Sequence, residues 1–219
     1  MLNRMAKGKV YTQVDMYSGF WQIPLAEEDR EKSAFITPLG LFEWVVMPFG
    51  LTNAPATFQS FMEKVLHQYL GSICDIYIDD LVIYSENLEE HVEHVGKVFD
   101  LLKAEGLRMK IEKCHFAVQE MNFLGFVVTP EGLRPQPDKA AKIVDAVVKP
   151  TQKGILKFVG LVRYYQRFVP DLATLAQPLT SLLRKENNIK EWGEEQEQAI
   201  REIKEIFKSD RFLIHFDPS

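Results

Sequence analysis

Cysteine is scarce. The 219 residues contain two, Cys74 and Cys114. Two do not make a disulfide framework, so a reducing, intracellular setting is the default expectation. No apolar run reaches the length of a membrane span, and mean hydropathy is near neutral at -0.14, so no membrane is expected as a partner. The opening residues, MLNRMAKGKV, lack the apolar stretch of a secretory signal. Internal repeats and low-complexity tracts are missing too. Overall positive charge is also wanting: the net charge is -5, which argues mildly against a nucleic-acid partner. What the chain does have is apolar content of 46%, enough for one large domain or two small ones.

Charge is unevenly spread. Residues 132–185 hold ten basic side chains, among them Lys153, Lys157, Arg163 and Arg167, against three acidic ones. That local excess can be an electrostatic footprint for phosphates or a solvated helical surface; charge alone does not choose. His91 and His94 stand one helical turn apart, but with Cys114 and His115 they match no zinc spacing, and they read as surface histidines.

The stretch 73–84, ICDIYIDDLVIY, places two adjacent carboxylates, Asp79 and Asp80, between runs of Ile, Val, Leu and Tyr. It reads as a hairpin with both acids at its tip. Such tips are mostly solvated turns, so the pair means little by itself. A third acid, Asp15, closes the alternating run VYTQVD and precedes the turn signal Ser18-Gly19. Strands are also expected at 33–37 and 41–46, joined as a hairpin through Pro38-Leu39-Gly40, and at 109–111, 114–118 and 121–128. Gly125 inside the last implies a close backbone approach. A helix from Ala54 to about Tyr69, capped by Thr52 or Asn53, follows the loop MPFGLTNAP. A second, from Asn87 to about Glu105, should bury Leu88, Val92, Val95, Phe99 and Leu102. The segment 129–137, rich in Pro and Gly, is the candidate boundary. Beyond it come helices at 138–148, 153–169 and 172–184, an acidic helix at 194–208 and a strand at 212–216.

Three carboxylates, one at a strand end and two at a hairpin tip, suit phosphoryl transfer at a nucleotide. Two Mg²⁺ ions about 3.5–4 Å apart would need such oxygen ligands. At this point the sequence resembles the reverse transcriptase of Gypsy/Ty3-type long-terminal-repeat retrotransposons, a part of their Pol polyprotein. The resemblance rests on VDMYSGFWQI (14–23), MPFGLTNAPATFQ (47–59), YIDD (77–80), NFLGF (122–126) and FVGLVRYYQRFVP (158–170).

The resemblance implies an α+β fold: a polymerase palm with an antiparallel sheet and flanking helices, partial fingers and a helical thumb. The palm would take 1–23 and 54–130, the fingers 24–53, the thumb 131–189, and 190–219 would begin a connection towards an RNase H domain. It implies an RNA-directed DNA polymerase, a nucleotidyltransferase, extending a primer on an RNA or DNA template with dNTPs and two Mg²⁺ ions, or Mn²⁺ in their place. Asp15, Asp79 and Asp80 would be the catalytic, metal-binding triad. Met16, Tyr17, Phe20, Phe49 and Gly50 would bind the dNTP: Met16 and Tyr17 through backbone amides, and Phe20 by excluding a 2′-hydroxyl. Tyr77, Ile78, Leu124, Gly125, Lys153, Lys157, Arg163 and Arg167 would hold primer and template.

The same resemblance places the N-terminal fingers and the RNase H domain outside this chain. It leaves a dimer or other Pol domains as further partners, and a cytoplasmic, virus-like-particle or nuclear location. The competing expectations are a transposon relic that at most binds nucleic acid, and an RNA-templated RNA polymerase, against which Phe20 speaks.

Overall fold

The computed structural model describes residues 1–5, 8–184 and 191–208. It divides into two units, Met1–Met121 and the part from Asn122 onward. The division precedes the Pro- and Gly-rich segment 129–137. That segment, the boundary expected from composition, instead carries a paired strand and the first turn of a helix, because Pro is tolerated at an edge and at a helix start.

The alternating run builds β1 (Val10–Asp15) after a short helix, α1 (Leu2–Met5). A 3-10 turn, Gly19–Gln22, follows, then α2 (Glu27–Arg30). The first hairpin is β2 (Phe35–Thr37) and β3 (Gly40–Phe42). Thr37 pairs with Gly40, so the turn is Pro38-Leu39 alone. The expected continuation of the second strand to residue 46 is absent; Val46 only bridges Pro24.

Next come α3 (Ala54–Leu66), β4 (Cys74–Tyr77), β5 (Asp80–Ser85), α4 (Leu88–Ala104) and β6 (His115–Val118). The sheet order is β4-β5-β1-β6, antiparallel throughout. Val14, Cys74, Ile76, Leu81 and Ile83 occupy one face of this sheet and join Phe58, Met62 and Leu66 of α3 and Val98 and Leu102 of α4 in the core.

Four expectations shift here. Helix α3 ends three residues early, and Asn53 precedes it without a side-chain capping bond. The buried stripe of α4 is rotated: it runs through His91, Val98 and Leu102, while Leu88 and Val92 are exposed. His91 is therefore no surface histidine but 2% exposed; polar partners make its burial tolerable. The expected strand 109–111 is only a bridge, Met16 with Met109, and Ile111–Lys113 forms a 3-10 turn.

β7 (Met121–Phe123) starts at the junction and leads to β8 (Phe126–Thr129) and β9 (Gly132–Pro135) in one three-stranded sheet. The single strand expected at 121–128 is thus a hairpin, broken because Leu124 (φ 48) and Gly125 (φ 78) both turn left-handed.

Helices α5 (Pro137–Val144), α6 (Gln152–Tyr164), α7 (Leu172–Leu175), α8 (Gln177–Ser181) and α9 (Glu194–Lys208) complete the unit. The expected helix 153–169 stops at Tyr164 and continues as a 3-10 turn, Gln166–Phe168; the expected helix 172–184 is split in two. The acidic helix lies where its pattern put it and buries Ala199, Ile200, Ile203 and Phe207. The strand expected at 212–216 falls outside the described residues. No helix among the described residues is long and apolar enough to cross a membrane.

Candidate active site

Register, not sequence proximity, assembles the acids. Asp15, the last residue of β1, is the cross-strand partner of Asp80, the first of β5, and Asp80 in turn faces Tyr77 at the end of β4. The three form one row across three strands. Their side chains fall on the face opposite the Val14, Leu81 and Ile76 face, because strand side chains alternate. Asp79 sits beside this row in the two-residue turn Ile78-Asp79. Like charges directly opposite one another in a sheet are destabilising, so the row is held against electrostatic cost. Burial pushes the Asp79 carboxyl above its ordinary range, and the charges of Asp80 and Asp15 add to it. Asp80 is also pushed up by burial, pulled back by a hydrogen bond from Gln13 Nε2 at 3.3 Å, and raised further by Asp15. Lys113 Nζ lies 3.6 Å from Asp15, an exposed contact of small worth.

The turn that presents Asp79 is strained. Ile78 has φ 54, a region that a β-branched residue rarely adopts. Gln59 of α3 holds it: its Oε1 accepts from the Ile78 amide at 2.6 Å, and its Nε2 donates to Ile76 O at 3.1 Å. On the far side, Gly19 admits the acid, since a Cβ there would stand 2.7 Å from Asp79 Oδ1. Asp15 is held from its own backbone. Its amide donates to Cys114 Sγ at 3.4 Å, and its carbonyl accepts from the Lys110 amide at 2.9 Å.

Gln59, Gln13, Gly19 and Cys114 were not singled out from the sequence as site residues. The available signals were a polar Gln59 beside the apolar Phe58, Phe61 and Met62 of a helix and Gly19 in a turn just after Asp15.

The remaining expected residues fall into two groups. In the first unit, Phe20 is 8% exposed and packs edge-on against Phe58 (5.6 Å) and tilted against Phe49 (5.1 Å). It belongs to the core, next in sequence to Gly19, which approaches Asp79. Phe49 and Tyr77 are exposed, and Gly50 (φ 97) turns in open space. Met16 is buried. The expected role for the Tyr17 amide needs correction: it already donates to Arg108 O at 3.0 Å, so its N–H is committed to the bridge that anchors the end of β1. The Met16 amide takes no part in that bridge. An open cleft of about 340 Å³, lined by Trp21, Lys32, Trp44, Pro48 and Phe49 among others, lies in the same unit.

In the second unit, Leu124 and Gly125 form the β7–β8 turn, and Lys153, Lys157, Arg163 and Arg167 are all exposed. The close approach inferred at Gly125 exists, but its cause lies within the unit: a Cβ there would stand 2.9 Å from the Tyr165 hydroxyl.

The acidic row has the donor chemistry for a hard divalent cation: carboxylate oxygens that repel one another and lack a strong counter-charge. As placed, no three His, Cys, Asp or Glu side chains among the described residues are gathered closely enough to hold a metal ion. The residue types and their register fit a cation.

A family model described as reverse transcriptase (RNA-dependent DNA polymerase) matches residues 1–128. The chain is 39% identical over 213 residues to the retrovirus-related Pol polyprotein from transposon 297 of Drosophila melanogaster, covering 97% of this chain and 20% of that protein. To the corresponding polyprotein from transposon gypsy of the same organism it is 34% identical over 226 residues, covering 99% and 22%. The chain thus spans about a fifth of the length of these curated relatives. Among solved structures, the foamy viral protease-reverse transcriptase in complex with dsDNA superposes with a TM-score of 0.82 at 27% identity, over 96% of this chain and 44% of that one.

Proposed function

The chain belongs to the reverse transcriptase family, and from that premise we propose that it is the palm, partial fingers and thumb of an RNA-directed DNA polymerase of a Gypsy-type retrotransposon. The observation that carries the reading is the row Asp15–Asp80 with Asp79 beside it on a strained turn. Three clustered carboxylates, with an exposed lysine at 3.6 Å from one and an amide on another, are a poor way to end a sheet unless a cation joins them. Asp15, Asp79 and Asp80 would hold Mg²⁺, which when bound lowers the pKa of a primer 3′-hydroxyl and offsets the charge of the leaving diphosphate.

The chain's own residues position the reactants. Gln59 fixes the turn, and so the direction of Asp79. Tyr77, exposed and two strands from Asp15 with Asp80 between them, would face the primer terminus with Ile78. Phe20, braced by Phe58 and Phe49, can hardly yield, and a ring that cannot move aside would exclude a ribose 2′-hydroxyl. In the second unit the Leu124-Gly125 turn would meet the primer backbone. Lys153, Lys157, Arg163 and Arg167 would neutralise phosphates without reading bases.

The test is Mg²⁺-dependent addition of dNTPs to a DNA primer on an RNA template, comparing the chain with Asp79→Asn. Incorporation that falls by about a thousandfold in the variant, in line with the loss of one electrostatic stabiliser of a transition state, supports the reading. Incorporation indifferent to Asp79→Asn sinks it. Salt-dependent binding without incorporation would instead mark a module that only holds nucleic acid.

A further inference from the structure

Two consecutive tyrosines at the end of α6 make contacts that packing alone does not require. The Tyr164 hydroxyl donates to Leu124 O at 2.6 Å, and the Tyr165 hydroxyl donates to Gly125 O at 3.2 Å. These are the two carbonyls of the β7–β8 turn, taken in order. Neighbouring helical residues diverge by about 100° and do not normally reach adjacent acceptors. Here they can, because the helix stops: Tyr165 leaves helical geometry with φ -106 and ψ 23. The Gln136 amide gives Gly125 O a second donor at 3.1 Å. Gly125 is the only residue type that fits, since any Cβ would meet the Tyr165 hydroxyl.

The turn needs holding. Positive φ at both central residues is what a type I′ hairpin turn requires, and Leu at the first is a disfavoured choice. Apolar packing fixes the rings but not the hydroxyls. Phe126 stacks on Tyr164 at 5.5 Å and on Phe168 at 5.9 Å, and Arg167 lies over the Phe126 ring at 5.7 Å. Phenylalanine would keep all of these contacts. The Tyr165 hydroxyl is also held protonated, its pKa pushed up to about 12 by burial, then by Tyr164 and Asp138.

We infer that Tyr164 and Tyr165 are positioning residues for the primer: by holding the Leu124 and Gly125 carbonyls they aim the Gly125 amide, the opposite end of the Leu124–Gly125 peptide, at a primer phosphate. The aim follows from geometry. The Leu124–Gly125 peptide is trans, so a carbonyl drawn towards Tyr164 turns the N–H of the same plane away from it. The inference rests on the polymerase reading for the identity of the ligand, and on the described contacts for the clamp.

The test is a binding scan with a DNA primer annealed to an RNA template, in which single primer linkages near the 3′ end are replaced by neutral methylphosphonates. The chain is compared with Y164F/Y165F. The parent should lose affinity about tenfold to a hundredfold at one linkage, the size expected for one charge-assisted hydrogen bond. In Y164F/Y165F that sensitivity should vanish while sensitivity elsewhere stays close to the parent's and the thermal midpoint falls only by the worth of two hydrogen bonds. A purely structural role for the hydroxyls would weaken binding evenly and leave the profile unchanged, and that result overturns the inference. So does a parent that binds with no sensitive linkage. Those two outcomes leave the polymerase reading standing. A parent that fails to bind primer–template at all removes that reading, and the inference with it.

Discussion

At the scale of single residues, the charges of the acidic row set the balance between stability and activity. Asp79 and Asp80 have carboxyl pKa values raised in the folded chain. A carboxyl with a raised folded value binds protons more readily when folded, so its contribution to stability falls as pH rises through that value. At neutral pH both acids therefore cost stability. Asp80→Asn, which removes a direct cross-strand repulsion with Asp15, should stabilise the chain by about 0.5 kcal/mol at neutral pH, and the gain should vanish in acid. Urea unfolding at the two pH values reads this out. Added Mg²⁺ should raise the parent's thermal midpoint and do little for the variant.

His91 behaves in the opposite sense. Its ring nitrogens contact Thr12 Oγ1 at 2.7 Å and Ser85 Oγ at 2.9 Å, and Ser85 Oγ also contacts His94 Nδ1 at 2.8 Å. Burial, and then His94, hold its pKa below the ordinary value. Its stabilisation is present above the unfolded-chain value near 6.5 and is lost as pH falls through the folded one. Acidification from about pH 7.5 to about pH 5.5 should lower the urea midpoint. His91→Gln should lose about 1–2 kcal/mol at the higher pH and show a flatter profile.

At the scale of elements, the β4–β5 hairpin depends on a helix. Without Gln59, the Ile78 amide has lost its acceptor and the left-handed turn its lock. Gln59→Leu should cost about 1–3 kcal/mol for an unsatisfied polar group, and it should lower primer extension more than primer–template binding, because only Asp79 moves. Equal losses in both measurements would show that the hairpin as a whole had unfolded. Element boundaries also explain where the pattern was hard to read. Helix α4 begins within a residue of where its pattern places it, and the structure adds the reason: the Asn87 side chain caps it by accepting from the Glu90 amide at 2.9 Å. Its buried face was misplaced because the sequence favours apolar Leu88 and Val92, whereas the sheet has hydroxyl partners for His91. The 121–128 run looked like one strand because every residue except Asn122 and Gly125 is apolar. What breaks it is a Leu in left-handed geometry, which no propensity anticipates.

At the scale of the whole molecule, an acidic chain of net charge -5 is proposed to bind a polyanion. The separation of charge makes this coherent, since Lys153 and Lys157 stand exposed a turn apart on α6. Lys153→Glu and Lys157→Glu should each weaken binding to any template sequence and reduce the log–log salt slope by about one. A slope that does not change would move the phosphate contacts elsewhere.

The sequence by itself determined the family, Asp15 at a strand end and Asp79 at a hairpin tip, and most of the helices; Asp80, expected at the same tip, opens β5 instead. These are carried by local pattern: β-rich runs, turn residues, caps and motif spacing. Tertiary structure alone decided that Asp15 and Asp80 are cross-strand partners, that Gln59 and Gly19 shape the turn around Asp79, and that Tyr165 accounts for Gly125. The physical reason is range. Periodicity and capping act over a few residues, whereas register, close approach and the sharing of a buried hydrogen bond join residues 19, 40 or 65 positions apart, and those pairings exist only once the chain has folded.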